Sequence, residues 1–307
     1  MFICEQTLCM VFLMEIINFG SMNTDYVYSV DHIVATGETI AAQCLQNFPG
    51  GKGLNQSVAL ARAGARVRHA CFYGADGESL AEHLAAQGVD VSLLEKTDAP
   101  QGHAIIQVDS AGGNSIIVFE GSNGQMTTEY IDAVLRAAGE TSCVLVQNET
   151  SNPEHVISRA SELGLCVFFN PSPIKENLQK IDLAKVDWLL INETEGSALT
   201  GQTDPQRILA RLLERFPSTD VVLTLGGDGL VCRTGGRIYT QAAYKVKAVD
   251  TTAAGDTFTG YFAAGIMRGV PVEEILKTAS KAAALCVSCA GASPSIPTRA
   301  QVAAFDA

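Results

Sequence analysis

The 307-residue chain is 47% hydrophobic and 18% charged, which are values of a globular protein with ample material for a core. Its 33 acidic residues against 21 basic ones give a net charge of −12, which argues against a general nucleic-acid binder. A chain this acidic that handles an anion has to supply local positive groups, namely a lysine, helix N-termini or a metal ion.

Residues Met1–Met14 are apolar, with Glu5 the sole charge. They are too short for a membrane span and, without a basic n-region, poor as a signal peptide. They read either as a short ordered extension or as residues ahead of a start at Met14, so an extension over 1–15 is set apart from one domain over 16–307. Tyr26–Phe48 shows β-type patterning with no helix. Pro49-Gly-Gly-Lys-Gly-Leu-Asn55 then leads into a helix over Gln56–Ala63 that ends at Gly64. This is not a Walker A loop, because Gly53 stands where Ser or Thr is needed. The glycines suit either a small polar ligand lying against bare backbone, with Lys52 and Asn55 as polar contacts, or a mobile surface turn. His103–Asp109 and Asn114–Glu120 flank Ser110-Ala-Gly-Gly113 and read as a hairpin. The two helix-free stretches, about 25–49 and 101–121, are expected to pair with each other in a small sheet outside the core.

Beyond them, strands and helices alternate. Val144–Gln147, Cys166–Asn170, Trp188–Asn192 and Val221–Leu225 are short, continuous apolar strands, with helices over Glu154–Leu163, up to Leu199 and over Arg207–Phe216. Such strands indicate a parallel sheet covered on both faces. Ligands of these sheets bind beyond the carboxyl ends of the strands, where Glu149, Asn170, Asn192 and Thr224 stand. Asp250-Thr-Thr-Ala-Ala-Gly-Asp256 comes next, ahead of an apolar helix over Phe258–Met267. The unpaired N–H groups of a helix start attract anions, and Ala253, Ala254 and Gly255 are small enough to let a phosphate approach them. Asp256 stands where a base would take a proton from an attacking hydroxyl. The plainer reading is an N-cap. A last helix is expected over Lys281–Ala290.

Nine cysteines, an odd number scattered along the chain, do not form a disulfide framework and fit a reducing cytoplasm. Cys71, Cys143, Cys166 and Cys232 read as small buried hydrophobes, and Cys286 and Cys289 as two thiols on one helix face. The five histidines have no paired spacing and adjoin none of these motifs, so a histidine-based site is not expected.

Both glycine clusters together resemble the ribokinase or PfkB family of carbohydrate kinases, closest to its ribokinase branch, from about Ile16 to Phe305. Gly50-Gly-Lys-Gly-Leu-Asn55 is similar to the family's first signature and Asp250–Asp256 to its second. Asn192-Glu-Thr-Glu195 and Thr224-Leu-Gly-Gly-Asp-Gly229 are similar to its nucleotide-side motifs. The resemblance implies a three-layer α/β/α sandwich with a mainly parallel central sheet and a small β-sheet lid. It implies Asp256 as general base, with Ala253, Ala254 and Gly255 as the anion hole. Asn23, Asp25, Gly51, Lys52, Asn55 and Glu149 would bind the sugar. Asn192, Glu195, Thr224, Gly226 and Gly229 would serve ATP, with Glu195 acting on Mg2+ indirectly, and helix 281–290 with Ser293-Pro-Ser295 would border adenine. Asp250, Thr252, Gly291 and Ser295 would hold a monovalent cation, K+.

The expected activity is ATP-dependent phosphorylation of a primary hydroxyl, with ribose at O5 foremost. Fructose, deoxyribose or a nucleoside are the rival substrates, and a non-catalytic sugar sensor is the rival class. Residues 23–49 outside the signature contain no Arg or Lys to greet a phosphorylated sugar. The presence of Asp256 speaks against a sensor. The lids of the family pair between subunits, so a homodimer through Ile105, Ile117 and Val118 is expected, with no nucleic-acid or membrane partner.

Overall fold

Residues 14–139 and 142–306 are described by a computed structural model of the chain, so nearly all of the expected N-terminal extension lies outside the described residues. The chain opens with β1 (Glu15–Phe19), leaves the core for β2 (Asn23–Ser29) and β3 (Cys44–Gly50), and returns through α1 (Lys52–Arg62), β4 (Arg66–Tyr73), α2 (Glu78–Ala86) and β5 (Asp90–Lys96). A second excursion, β6 (His103–Val108) and β7 (Asn114–Phe119), follows. Next come α3 (Thr128–Arg136), β8 (Cys143–Gln147), α4 (Pro153–Glu162), β9 (Cys166–Asn170), β10 (Trp188–Asn192), α5 (Glu193–Thr200) and α6 (Pro205–Arg215). The chain finishes with β11 (Asp220–Thr224), β12 (Leu230–Thr234), β13 (Arg237–Gln241), α7 (Ala254–Met267), α8 (Val272–Val287) and α9 (Arg299–Ala303).

Nine strands form one sheet in the order β13-β12-β11-β10-β9-β8-β1-β4-β5, parallel from β11 to β5 and antiparallel at the β12–β13 end. Alternate residues of a strand face opposite sides, and every residue of β8 is buried, so helices cover the sheet on both faces. The strand order reverses between β1 and β8, so the chain turns outward in opposite directions there and leaves a crevice beyond their carboxyl ends. The excursions form the expected separate sheet, in the order β3-β2-β6-β7, with β2 parallel to β6. Its β2 starts directly above that crevice.

Two helices begin earlier than the apolar pattern predicts. α1 starts at Lys52 rather than Gln56, because Gly51 takes the left-handed conformation (φ 91°) and the Glu149 carboxylate accepts the Lys52 N–H at 2.9 Å. α7 starts at Ala254 rather than Phe258, so the small residues are its first turn instead of a loop before it. At the other end, α8 stops at Val287, short of the expected Ala290. Cys289 therefore lies beyond the helix and is exposed while Cys286 is buried, and the two thiols do not share a helix face.

α1 and α7 run side by side in the same direction. Asn55 touches Asp256, and one turn further along both helices Gly260 meets Ala59. A Cβ at Gly260 would lie 2.4 Å from the Ala59 Cβ and 2.8 Å from the Leu60 nitrogen. α7 is seated on the sheet by Phe262, edge-on to Trp188 of β10 at 5.0 Å. We expect Gly260→Ala to overpack this contact, costing about 1–3 kcal/mol as measured by chemical denaturation. The same variant is expected to lower kcat, because the two helix starts it pushes apart carry facing side chains. Unchanged denaturation and kcat would refute this account of the contact.

Candidate active site

The crevice is built from four chain turns. After β1 comes Ser21, whose hydroxyl donates to Glu149 Oε2. After β8 comes Glu149 itself, and the same Oε2 caps α1. The glycines of the 50–53 cluster make room for protein. A Cβ at Gly50 would fall 2.0 Å from Asp25 Oδ2, and one at Gly53 would fall 2.3 Å from the Gly20 and Ser21 backbone. Gly51 is needed for its positive φ and its closeness to the Asn23 nitrogen. Close packing of α1 on the β1–β2 turn therefore requires glycine at these positions, a reason separate from the expected approach of a ligand to bare backbone.

What remains open to a ligand is a set of side chains. Asn55 donates through Nδ2 to Asp256 Oδ2 (3.2 Å), while its buried Oδ1 has no partner among the described residues. Asn23 is buried, and its Oδ1 accepts from Asn123 Nδ2 at 2.8 Å. Asn123, which no sequence motif marks, also accepts the Met22 N–H and so fixes the start of β2. Asp25 is buried and accepts no hydrogen bond from the described residues. Burial, with Glu149 and Asp256 adding like charge, pushes its carboxyl up to about 7. Lys52, half-buried, stands among the acids. Its burial works against the ammonium charge, but Asp256, Glu149 and Glu195 outweigh it and raise the pKa. Unpaired buried acceptors around one cation match a neutral polyol, whose hydroxyls can donate to each of them.

The first turn of α7 divides this crevice from a second cavity of about 640 Å³. The N–H groups of Gly255 and Asp256 have no acceptor among the described residues, as a helix start leaves them. Ala253 adopts the left-handed conformation (φ 62°) that turns the chain into α7. Ala254 and Gly255 line the second cavity together with Thr224, Gly226 and Gly229, which brings the predicted phosphate residues to one place. A Cβ at Gly229 would lie 2.1 Å from the Gln241 carbonyl oxygen, so that turn requires glycine. The far wall is apolar, from Ala283, Ala284 and Val287 of α8 and from Tyr244 and Val246. The segment 243–248 was not marked by any sequence signal, since it lacks both period and motif. Ser293–Ser295, expected along this wall, does not line it; Pro294 and Ser295 line another cavity beside Arg62. Lys281 turns away to the Phe305 carbonyl oxygen.

Asn192 and Glu195 form a reciprocal helix cap. The Asn192 N–H donates to Glu195 Oε2 and the Glu195 N–H to Asn192 Oδ1, both at 2.9 Å. Asp250 accepts the N–H of Thr252 on one oxygen and of Gly291 on the other, both at 2.9 Å. Its burial opposes charge, but those hydrogen bonds prevail and lower its pKa. The Cys286 thiol contacts both the Thr252 carbonyl and Ser295 Oγ. All four predicted cation residues therefore meet around the last turn of α8.

The sequence matches the profile of the pfkB family carbohydrate kinases over residues 14–299. The chain belongs to this family. It is 33% identical over 295 residues to the ribokinase of Haemophilus influenzae, covering 93% of this chain and 96% of that protein. It is 30% identical to the deoxyribokinase of Salmonella typhi, covering 93% and 96%. The structure of Arabidopsis thaliana ribokinase complexed with ribose and ATP superposes with a TM-score of 0.82 at 30% identity, over 95% of this chain and 99% of that one. The kinase is thus an α/β sugar kinase of ribokinase type, and no helix among its described residues is long and apolar enough to cross a membrane.

The raised Asp25 gives the kinase a testable pH signature. Between pH 3.8 and about 7 the folded state keeps a proton that the unfolded chain has lost, so stability falls as pH rises through that window. Asp25→Asn removes the cost. It is expected to melt higher than the parent at pH 8, by a margin that shrinks by about 1.4 kcal/mol per pH unit below pH 7, while its KM for sugar rises. Equal melting curves at pH 8 would remove burial of an unpaired carboxylate from the account.

Proposed function

We propose that this kinase transfers the γ-phosphoryl group of ATP to the primary hydroxyl of ribose, giving ribose 5-phosphate. The observation that carries this reading is the position of Asp256. Its backbone N–H belongs to the anion-binding turn that borders the second cavity, while its carboxylate faces the crevice beside Asn55. A sugar in the crevice and a nucleotide in the cavity would meet across that turn. Asp256 takes the proton from the attacking hydroxyl, and the N–H groups of the α7 start, with Lys52, neutralise charge on the phosphoryl group.

On the sugar side, Asn23, Asp25, Asn55 and Lys52 bind hydroxyls, and Glu149 acts mainly by holding the Ser21 turn and the start of α1. On the nucleotide side, Thr224, Gly226 and Gly229 hold phosphates against Ala254 and Gly255. Glu195 and Asn192 would act on Mg2+ through its bound waters, since no trio of His, Cys, Asp or Glu among the described residues gathers for direct binding and Mg2+ keeps several waters. The oxygens around Asp250, Thr252, Gly291 and Ser295 are hard donors of the kind K+ takes, and a bound cation would stiffen the turn leading into α7. Seven free cysteines among the described residues fit a reducing cytoplasm. Exposed Ile105, Ile117 and Val118 on the lid suit a homodimer, and closure of the lid over the sugar would exclude water.

A substrate panel tests the reading. Ribose is expected to give the highest kcat/KM with ATP, with deoxyribose as its nearest rival; no turnover with any pentose would sink it. Asp256→Asn is expected to lower kcat by about 10²–10⁴-fold with a much smaller change in sugar KM, and near-parental kcat would remove Asp256 as the base.

A further inference from the structure

Polar residues in the middle of an apolar core carry a cost unless each finds a partner. Five of them run in a line behind the proposed base: Gln56, Gln147, Asn18, Ser57 and His69, all fully buried. Gln56 Nε2 donates to Asp256 Oδ1 at 2.9 Å, and Gln56 Oε1 accepts from Gln147 Nε2 at 2.7 Å. Gln147 Nε2 also donates to Asn18 Oδ1 at 2.9 Å. Asn18 Nδ2 donates to the Gly53 carbonyl oxygen and to Ser57 Oγ, both at 2.8 Å, and Ser57 Oγ lies 2.8 Å from His69 Nδ1.

The direction of every amide bond in this line is determined. A carboxylate only accepts, so the amide nitrogen of Gln56 has to face Asp256 and its oxygen has to face Gln147. At the far end the Gly53 carbonyl only accepts, so the amide nitrogen of Asn18 faces it and the oxygen faces Gln147. Gln147 then spends both amide hydrogens on the two oxygens turned toward it. Ser57 accepts from Asn18 and faces His69 Nδ1, and burial keeps that imidazole neutral, with its pKa down at about 4. None of these amides can flip without breaking a bond on either side.

We propose that Gln56 is a positioning residue for phosphoryl transfer, and that Gln147 and Asn18 hold it in place. Gln56 fixes Oδ1 of Asp256 from behind. The carboxylate is thereby locked in rotation, and Oδ2, shared with Asn55, is the oxygen aimed at the sugar hydroxyl. Because Asn18 and Gln147 sit on β1 and β8, the line ties the base on α7 to the central sheet at the crevice. The inference rests on Asp256 being the base, and a misdirected base costs rate far more than it costs binding.

The test is a double-mutant cycle on the full-length kinase, with kcat and ribose KM read in a coupled ADP assay and melting followed in parallel. Gln56→Met keeps the volume and removes the donor. It is expected to lower kcat about 10–100-fold with ribose KM within about threefold, the kcat loss staying below that of Asp256→Asn. In the Asp256→Asn background the same substitution is expected to change the residual kcat less than twofold, because the group it positions is gone. Gln147→Met, one bond further back, is expected to give a smaller kcat loss that vanishes in the Gln56→Met background; it carries the test should Gln56→Met fail to fold. Equal kcat losses with and without the Asp256 carboxylate would mean a purely structural role and overturn the proposal. So would parental kcat in either variant. Parental kcat in Asp256→Asn would instead strike the base assignment itself.

Discussion

The contact between the first turns of α1 and α7 is the constraint on which the site depends. Each helix start is electropositive, because its first N–H groups find no acceptor within the helix, so two of them side by side repel unless acids lie between them. Asp256 and Glu149 do this from opposite sides. Asp256 rides on α7 and accepts from Asn55 and Gln56 of α1, while Glu149 caps α1 from the end of β8. Gly260 against Ala59 sets the spacing one turn further along. With that spacing fixed, the crevice side chains of α1 and the free N–H groups of α7, proposed to bind sugar and phosphate, hold one geometry without a flexible loop between them.

This arrangement also explains how a chain of net charge −12 handles a polyanion. Its acids are not spread evenly. Glu149, Glu195 and Asp256 surround Lys52, whose raised pKa keeps it charged, and Asp25 lies near two of these acids. On the cavity side of α7, Thr224, the 226–229 glycines and the helix start present dipoles and no carboxylate side chain. The acids thus gather on the crevice side of the α7 start and the dipoles on its cavity side, the division that the proposed sugar and phosphate sites call for. Asp25 shows the tension in the first group, since burial near two other carboxylates leaves it close to half-protonated at neutral pH. A hydroxyl-rich ligand donates to those oxygens and favours the ionised form.

Much of this was legible in the sequence, for reasons that particular residues make clear. Continuous apolar runs such as Val144–Gln147 gave the buried parallel strands, because β8 is buried at every position and needs no alternation. That Asp256 and the small residues before it stand at a helix start was legible from the apolar run that follows them, and helix starts and anion sites share one local chemistry. What stayed hidden was long-range. The glycines at 50 and 53 also make room for Asp25 and for the Gly20–Ser21 backbone, neighbours that no local pattern names. Asn18 and Gln147 left a signal, a polar residue inside an apolar strand, but a sequence cannot say which distant partner satisfies each amide. Nor does it reveal the 243–248 wall of the second cavity, whose residues matter by where the backbone runs.

The two aspartates of the second signature show how environment assigns unlike roles to like groups. Asp250 has both oxygens taken by backbone N–H groups of Thr252 and Gly291, so its charge is spent on joining two loops. Rotating it would break two backbone bonds at once, which makes it a fastener and a poor proton acceptor. Asp256 is held instead by two side-chain amides from one helix, approaching from one side. That geometry restrains its rotation as firmly but leaves lone pairs facing the crevice. A carboxylate at a site of proton transfer needs to be fixed in place and free on one face. Six residues apart in sequence, only the second meets both conditions.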